Sequence, residues 1–180
     1  MDIKHLLSRN PLHPAYSRAP ARTPSAEIAP LRWHQHAAGL YEVGHAGAEF
    51  AFDNESPRHP IWLPDFALAS RLITNGEYLQ FMQDGGYARP ELWLSEGWDA
   101  VNAQQWRAPL YWLQRDGQWQ HFTLHGLEPI ALSDPVQHVS FFEAEAFAQW
   151  ASQQSQWEGA RLPTEFEWEV AAGRQAIAGN

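Results

Sequence analysis

Three strings in this chain set a hydroxyl three residues ahead of a glutamate: Thr74-Asn-Gly-Glu77, Ser140-Phe-Phe-Glu143 and Thr164-Glu-Phe-Glu167. Each has the form of a capping box, in which the hydroxyl accepts from the third helical N–H and the carboxylate reaches back to the cap N–H. Helix starts are therefore expected at these three points, and only short helices fit between the surrounding prolines and glycines. Pro163 sits just before the third cap and sets the direction in which the chain approaches it. After the second cap, Ala144, Phe147, Ala148 and Ala151 recur at i, i+3, i+4 and i+7, which predicts one buried stripe. After the third, Trp168, Ala171 and Ala172 predict another. After the first, Tyr78, Phe81 and Met82 form the expected buried face, and Asp84-Gly85-Gly86-Tyr87 ends the helix with a glycine cap.

The rest of the chain reads as strands and loops. Its 180 residues are enough for one domain with a real core. Ten Trp, 13 Pro and 12 Gly suit a loop-rich fold held by large aromatics rather than by long helices. Gly39 to Phe52 predicts short strands turning at Gly44 and Gly47, and Ile61 to Leu68 a further strand pair. Residues 93–126 predict Trp-rich strands and loops, with Arg115-Asp-Gly-Gln118 as a hairpin turn. Pro135-Val-Gln-His-Val-Ser140 predicts a strand leading into the second capped helix. Asp2 to Ser8 predicts a helix of two turns with Ile3, Leu6 and Leu7 on one face, stopped at Asn10-Pro11. Residues 11–31, with Pro11, Pro14, Pro20, Pro24 and Pro30, predict an extended linker.

Composition narrows the function classes. The net charge of −9 comes with no Lys/Arg cluster, which argues against binding nucleic acid or an anionic membrane. No apolar run approaches the ~20 residues that span a bilayer, and Met-Asp-Ile-Lys-His-Leu-Leu lacks the regions of a signal peptide. A cytoplasmic location is the expectation. With no cysteine, these residues offer no disulfide, thiolate ligand or Cys nucleophile.

The nine histidines stand at 5, 13, 34, 36, 45, 59, 121, 125 and 138. His121 and His125 have the spacing of a helical metal pair. Their aromatic and Thr neighbours favour a strand, where four residues span about 13 Å, too far for one ion. His34 and His36 share a strand face at about 7 Å and read as a surface pair, since no third ligand is suggested. His138 reads as a half-buried structural residue. Glu165, Glu167 and Glu169 could serve acid–base chemistry. The capping pattern assigns them to architecture instead, with Arg161 pairing one of them. Asp53, Asn54 and Glu55 fall short of a calcium site's six to eight oxygens. The aromatics from Trp93 to Trp112 could line a pocket for a trimethylated amine by cation–π contact, but read better as core. No catalytic, cofactor-binding or metal-ligating residue is assigned.

The ordered pair Pro135–Trp150 and Arg161-Leu-Pro-Thr-Glu-Phe-Glu-Trp-Glu169 resembles the formylglycine-generating-enzyme, or sulfatase-modifying-factor, domain. The resemblance implies an α+β, loop-rich, Trp-rich fold of C-type-lectin-like shape, incomplete at its C-terminal side. Phe50-Ala-Phe-Asp-Asn-Glu55, Asp84-Gly-Gly-Tyr87, Trp93-Leu-Ser-Glu-Gly-Trp98 and Pro109-Leu-Tyr-Trp112 make it similar to one branch, the EgtB-type sulfoxide synthases of ergothioneine biosynthesis. The string from Asp2 to Tyr16 looks like the junction that leaves that branch's first domain. The branch implies an enzyme that uses iron(II) and O2 to join a thiol, γ-glutamylcysteine or cysteine, to hercynine as a sulfoxide. Its iron is held by three histidines of an N-terminal DinB-like bundle, two of them in an H-x-x-x-H-x-E string that would precede residue 1. Its catalytic tyrosine would follow residue 180. On this reading residues 1–10 are the tail of that bundle, 11–31 a Pro-rich linker, and 32–180 the N-terminal half of the sulfatase-modifying-factor-type domain. The piece would be inactive alone. Formylglycine generation on sulfatases, or a non-catalytic C-type-lectin-like binding module, are the other readings of the same resemblance.

Overall fold

A computed structural model describes residues 2–19 and 28–173. Residues 20–27 of the expected linker, and 174–180, lie outside the described residues. In chain order the elements are α1 (Asp2–Ser8), β1 (Trp33–His36), β2 (Gly39–Val43), β3 (His59–Leu63), β4 (Phe66–Ala69), α2 (Asn75–Gln83), α3 (Ser95–Gln104), β5 (Trp112–Arg115), β6 (Gln118–Thr123), β7 (Gly126–Pro129), α4 (Phe141–Ser152) and α5 (Glu165–Ala172). Single 3-10 turns cover Asp53–Glu55, Gly86–Ala88 and Pro90–Leu92. The fold is α+β, as expected. It divides into two compact units, one of Met1–Ala29 with Leu72–Leu162, the other of Pro30–Arg71 with Pro163–Asn180.

All three capping boxes form. Thr74, Ser140 and Thr164 each accept from the N–H of Glu77, Glu143 and Glu167, and each glutamate accepts from the cap's own N–H. The carboxylate bonds are short, at 2.8 Å for Glu77, 2.7 Å for Glu143 and 2.8 Å for Glu167. α2 ends as its sequence predicts, with Gly85 in the left-handed region at φ 77° and its N–H on the Met82 carbonyl.

In the first unit, α2 and α4 pack around the core. Tyr78 and Phe81 face Phe147 and Trp150, with Tyr87, Leu92, Trp93 and Trp157 closing the cluster. The ring of Phe147 stacks on Tyr78 at 5.5 Å, and Phe81 meets Trp150 edge-on at 5.9 Å. Trp93 is buried in this core, as expected, and Trp98 and Trp106 pack partly buried against it, while Trp112 is buried outside the cluster. α4 buries more than the expected stripe. Ala146 and Trp150 are inside and Ala144 only half-buried, because aromatics surround the helix on more than one side. β5, β6 and β7 form an antiparallel meander. Asp116 and Gly117, at φ 50° and 76°, make the expected two-residue hairpin turn with both central residues left-handed.

Three expectations in this unit fail. Residues 95–104, read as strand and loop, form α3. Its cap, Leu94, supplies no side-chain bond, and an interior glycine hides the helical pattern. Gly97 is there for space, since a Cβ would lie 2.8 Å from that of Phe142. The segment 135–140 is not a strand. It makes one bridge, Pro135 to Thr74, and His138 then turns left-handed at φ 62°, which no ladder accommodates. β6 stops at Thr123, whose Oγ1 accepts from the N–H of His125 at 3.0 Å. His125 is thus a turn residue and shares no strand with His121.

The second unit pairs β1 with β4 and β2 with β3, both antiparallel. The segment from Ile61 to Leu68 was expected to be a strand pair. Its two strands pair with earlier partners instead, because the Pro64-Asp65 connection cannot supply the positive φ of a tight hairpin. Of Gly39 to Phe52, only Gly39–Val43 is strand. Gly44 ends it at φ 91°, where a Cβ would stand 2.9 Å from the Glu55 carbonyl oxygen. α5 does not bury Trp168, which is 61% exposed, and Ala171 and Ala172 are half-buried. The helix meets β2 through Glu169, whose Oε1 accepts from the Gly44 N–H at 2.6 Å, and Phe166 meets His59 edge-on. Residues 166 and 169 share a face, and 168 lies away from it.

Thr164→Ala removes one cap acceptor and should lower stability by about 1 kcal/mol. The denaturant midpoint, at constant slope, measures the loss.

Candidate functional site

Two polar arrangements lie in the first unit, and both join residues far apart in sequence. One is buried. The Tyr87 hydroxyl donates to Glu143 Oε1 at 2.5 Å while Glu143 Oε2 takes the Ser140 N–H. Tyr78 and Tyr87 hydroxyls stand 3.1 Å apart. Tyr87 has one proton and gives it to the carboxylate, so Tyr78 donates to Tyr87. Burial comes first among the causes that push both phenols well above the usual tyrosine range, and the Glu143 charge adds to it. These phenols stay protonated, and the chain Tyr78–Tyr87–Glu143 acts as a lock between α2 and α4.

The second arrangement opens to solvent. A cavity of about 230 Å³ is lined by His5, Ser8, Arg9 and His13 on one side and by Leu110 to Leu113 with Phe122 on the other. Lys4 Nζ lies 2.7 Å from His138 Nε2 and 4.5 Å over the Tyr111 ring. Arg9 Nη2 lies 3.3 Å from His5 Nε2, and Arg115 Nη2 3.5 Å from His13 Nδ1. Three cations therefore meet three imidazoles. Lysine and arginine have only protons to offer, so each imidazole accepts. Tyr111 packs edge-on against His138 at 4.8 Å and its hydroxyl is 3.4 Å from His5 Nδ1. His13, Tyr111 and His138 are all left-handed, at φ 45°, 74° and 62°. Non-glycine residues in that region are strained and gather at functional places.

Burial, then the Lys4 and His121 charges, holds the His138 imidazole below the ordinary histidine range. Burial lowers the Lys4 ammonium as well. Burial raises the Tyr111 phenol, against the opposing charge of Arg9.

The other sequence candidates stay apart. His34 is exposed on β1, while His36 stacks flat on Phe66 at 4.5 Å. His125 Nδ1 meets the Ser17 hydroxyl at 3.0 Å. Asp53, Asn54 and Glu55 form an exposed 3-10 turn. Glu167 caps α5 and Glu169 anchors β2, so both serve architecture. Arg161 Nη1 donates to the Leu162 carbonyl at 3.0 Å. Lys4 and Arg9 were not named as candidates by sequence, while His5 and His13 were named only among the nine histidines and Tyr111 only within the Trp93–Trp112 aromatics. The spacing of four between His5, Arg9 and His13 is the one local signal, and it runs past the end of α1.

The iron(II) implied by the ergothioneine resemblance finds no seat among these residues. Among the described residues no three His, Cys, Asp or Glu side chains gather where they could hold a metal ion. The imidazole nitrogens of the cleft that face Lys4, Arg9 and Arg115 already accept from cations.

The pattern of the Sulfatase-modifying factor enzyme 1-like domain matches residues 36–179. The chain belongs to that family. It is 42% identical over 129 residues to the "Hercynine oxygenase" of Mycolicibacterium smegmatis, covering 72% of this chain and 28% of the relative. The protein of the same name from Mycobacterium tuberculosis is 40% identical over 130 residues, with the same two coverages. The "Formylglycine-generating enzyme" of Bos taurus is 29% identical over 174 residues, covering 87% of this chain and 44% of the relative. The chain thus spans 28% of the length of the hercynine oxygenases it matches. Among the described residues no helix is long and apolar enough to cross a membrane.

Two measurements follow from this geometry. Tyr87→Phe leaves Glu143 Oε1 without its donor in a buried place and should destabilise the chain by about 2 kcal/mol. A thermal or denaturant midpoint equal to the parent's would refute the lock. His138 has a folded pKa below its unfolded value, so its contribution to stability is intact above about pH 6.5 and is lost as pH falls through the lower, folded value. His138→Asn keeps a side chain that tolerates the left-handed backbone. It should reduce the drop in melting temperature between neutral and mildly acidic pH.

Proposed function

We propose that this chain is the sulfatase-modifying-factor part of an EgtB-type enzyme of ergothioneine biosynthesis. The intact enzyme joins a thiol, γ-glutamylcysteine or cysteine, to hercynine as a sulfoxide with iron(II) and O2. The observation that carries the reading is the difference in identity. Hercynine oxygenases match at 40–42%, whereas formylglycine-generating enzymes match at 28–30%. The iron ligands and the catalytic tyrosine lie outside these 180 residues, and the chain contributes a rigid, aromatic-cored scaffold. Residues 1–10 continue a helical bundle, 11–31 link it, and 32–180 begin the second domain. Ile3 and Leu6 of α1, and Trp168 of α5, support this division, since all three are more than half exposed in the structure. Small-molecule substrates and a cytoplasmic setting belong to the same reading, with no nucleic-acid or membrane partner.

The test supplies iron(II), hercynine, thiol and O2, and assays sulfoxide. The 180-residue chain should give none above a metal-free control, and the reading frame extended on both sides should turn over. Turnover by the short chain would sink the fragment assignment. An extended protein that oxidises a cysteine in a sulfatase peptide to formylglycine, and makes no sulfoxide, would move the chain to the other branch.

A further inference from the structure

The cleft between α1 and the β5–β6 hairpin has no role in the proposed sulfoxide chemistry, and its walls combine cationic and apolar groups. Its volume of about 230 Å³ lies below the roughly 300 Å³ at which pockets for drug-sized molecules begin, so an occupant would be small. Its walls divide by chemistry. Leu110, Tyr111, Trp112, Leu113 and Phe122 supply an apolar and aromatic floor. Arg9 stands at the rim with the imidazoles of His5 and His13, and among the described residues no Asp or Glu lines the cavity. That is unusual for a chain of net charge −9.

The guanidinium of Arg9 has five N–H donors, and among the described residues its side chain bonds only to His5 Nε2, at a long 3.3 Å. It is exposed and has the planar fork that holds a carboxylate bidentately. Its charge reaches the floor, where it opposes the effect of burial on the Tyr111 phenol. Arg115 reinforces the rim through His13. The left-handed backbones of His13 and Tyr111 hold two of the lining residues in a strained arrangement.

We propose that this cleft binds a small organic carboxylate, its anionic end on Arg9 with His5 and His13, its apolar body on Tyr111 and Phe122. A monoanion matches Arg9, the one cation that lines the cavity among the described residues. A phosphate dianion would set more charge against an apolar floor than the rim can compensate. Full burial of a bare hydrocarbon would leave the Arg9 donors unanswered.

Benzoate is the probe. Titrated into the 180-residue chain and followed by the ring resonances of His5 and His13, it should give saturable shifts. Arg9→Gln should weaken its binding about tenfold or more, the size of a lost charge-assisted bond. Arg9→Lys should recover only part of the affinity, because the ammonium lacks the fork. Arg9 and Arg115 are exposed, so Arg115→Gln offers a second variant that spares the core, with a smaller loss expected. Inorganic phosphate and benzylamine are the comparisons. Phosphate binding as tightly as benzoate would reveal a bare cationic rim and overturn the proposal. So would benzylamine competing with benzoate, or benzoate shifts that never saturate.

Discussion

Glu143 is buried, and each of its carboxylate oxygens has a donor. One takes the N–H of Ser140 and so starts α4. The other takes the phenol of Tyr87, which in turn accepts from Tyr78 on α2. A buried carboxylate without such partners would cost far more than a single helix cap returns. With them, it joins the start of one helix to the side of another and to the turn between α2 and α3. The aromatic core assembles around this point: Phe81, Phe147 and Trp150 pack beside it, and Trp93 hangs its indole N–H on the Gly86 carbonyl at 2.8 Å. The same capping device appears at Glu77 and Glu167, and Glu143 adds the phenol chain.

The second unit depends on a related contact. Glu169, two residues beyond a capping glutamate, holds the Gly44 N–H where β2 ends. Glycine is required there because the Glu55 carbonyl already occupies the space of a Cβ. A carboxylate-rich helix start thus does two jobs. Glu167 completes the cap, and Glu169 pins a turn that has no side chain of its own.

The cleft beside α1 obeys different rules. Among the described residues it sets cations against imidazoles, with Lys4 over the Tyr111 ring. Cations set beside neutral acceptors attract an anionic partner. Family membership speaks to the β5–β6 side of this region, since the match begins at residue 36. The chemistry of the cleft comes from residues that the capping motifs never touch.

Local rules were enough for the capped helices. A hydroxyl, two intervening residues and a glutamate define a helix start within four positions, and Asp116-Gly117 defines its hairpin within two, because each rests on backbone geometry that neighbours in sequence decide. The ordered strings around Ser140 and Thr164 were also enough to indicate the family. Local rules failed where partners are remote. α3 begins without a side-chain cap and holds a glycine whose reason is Phe142, 45 positions along the chain. Trp168 reads as core by its spacing, yet the face that packs is the one bearing Phe166 and Glu169. His138 reads as part of a strand until its left-handed backbone and Lys4, 134 residues away, set its place. Sequence spacing specifies what a residue can do beside its neighbours. Only the tertiary structure decides which distant cation, ring or carbonyl stands opposite, since that depends on how the whole chain closes.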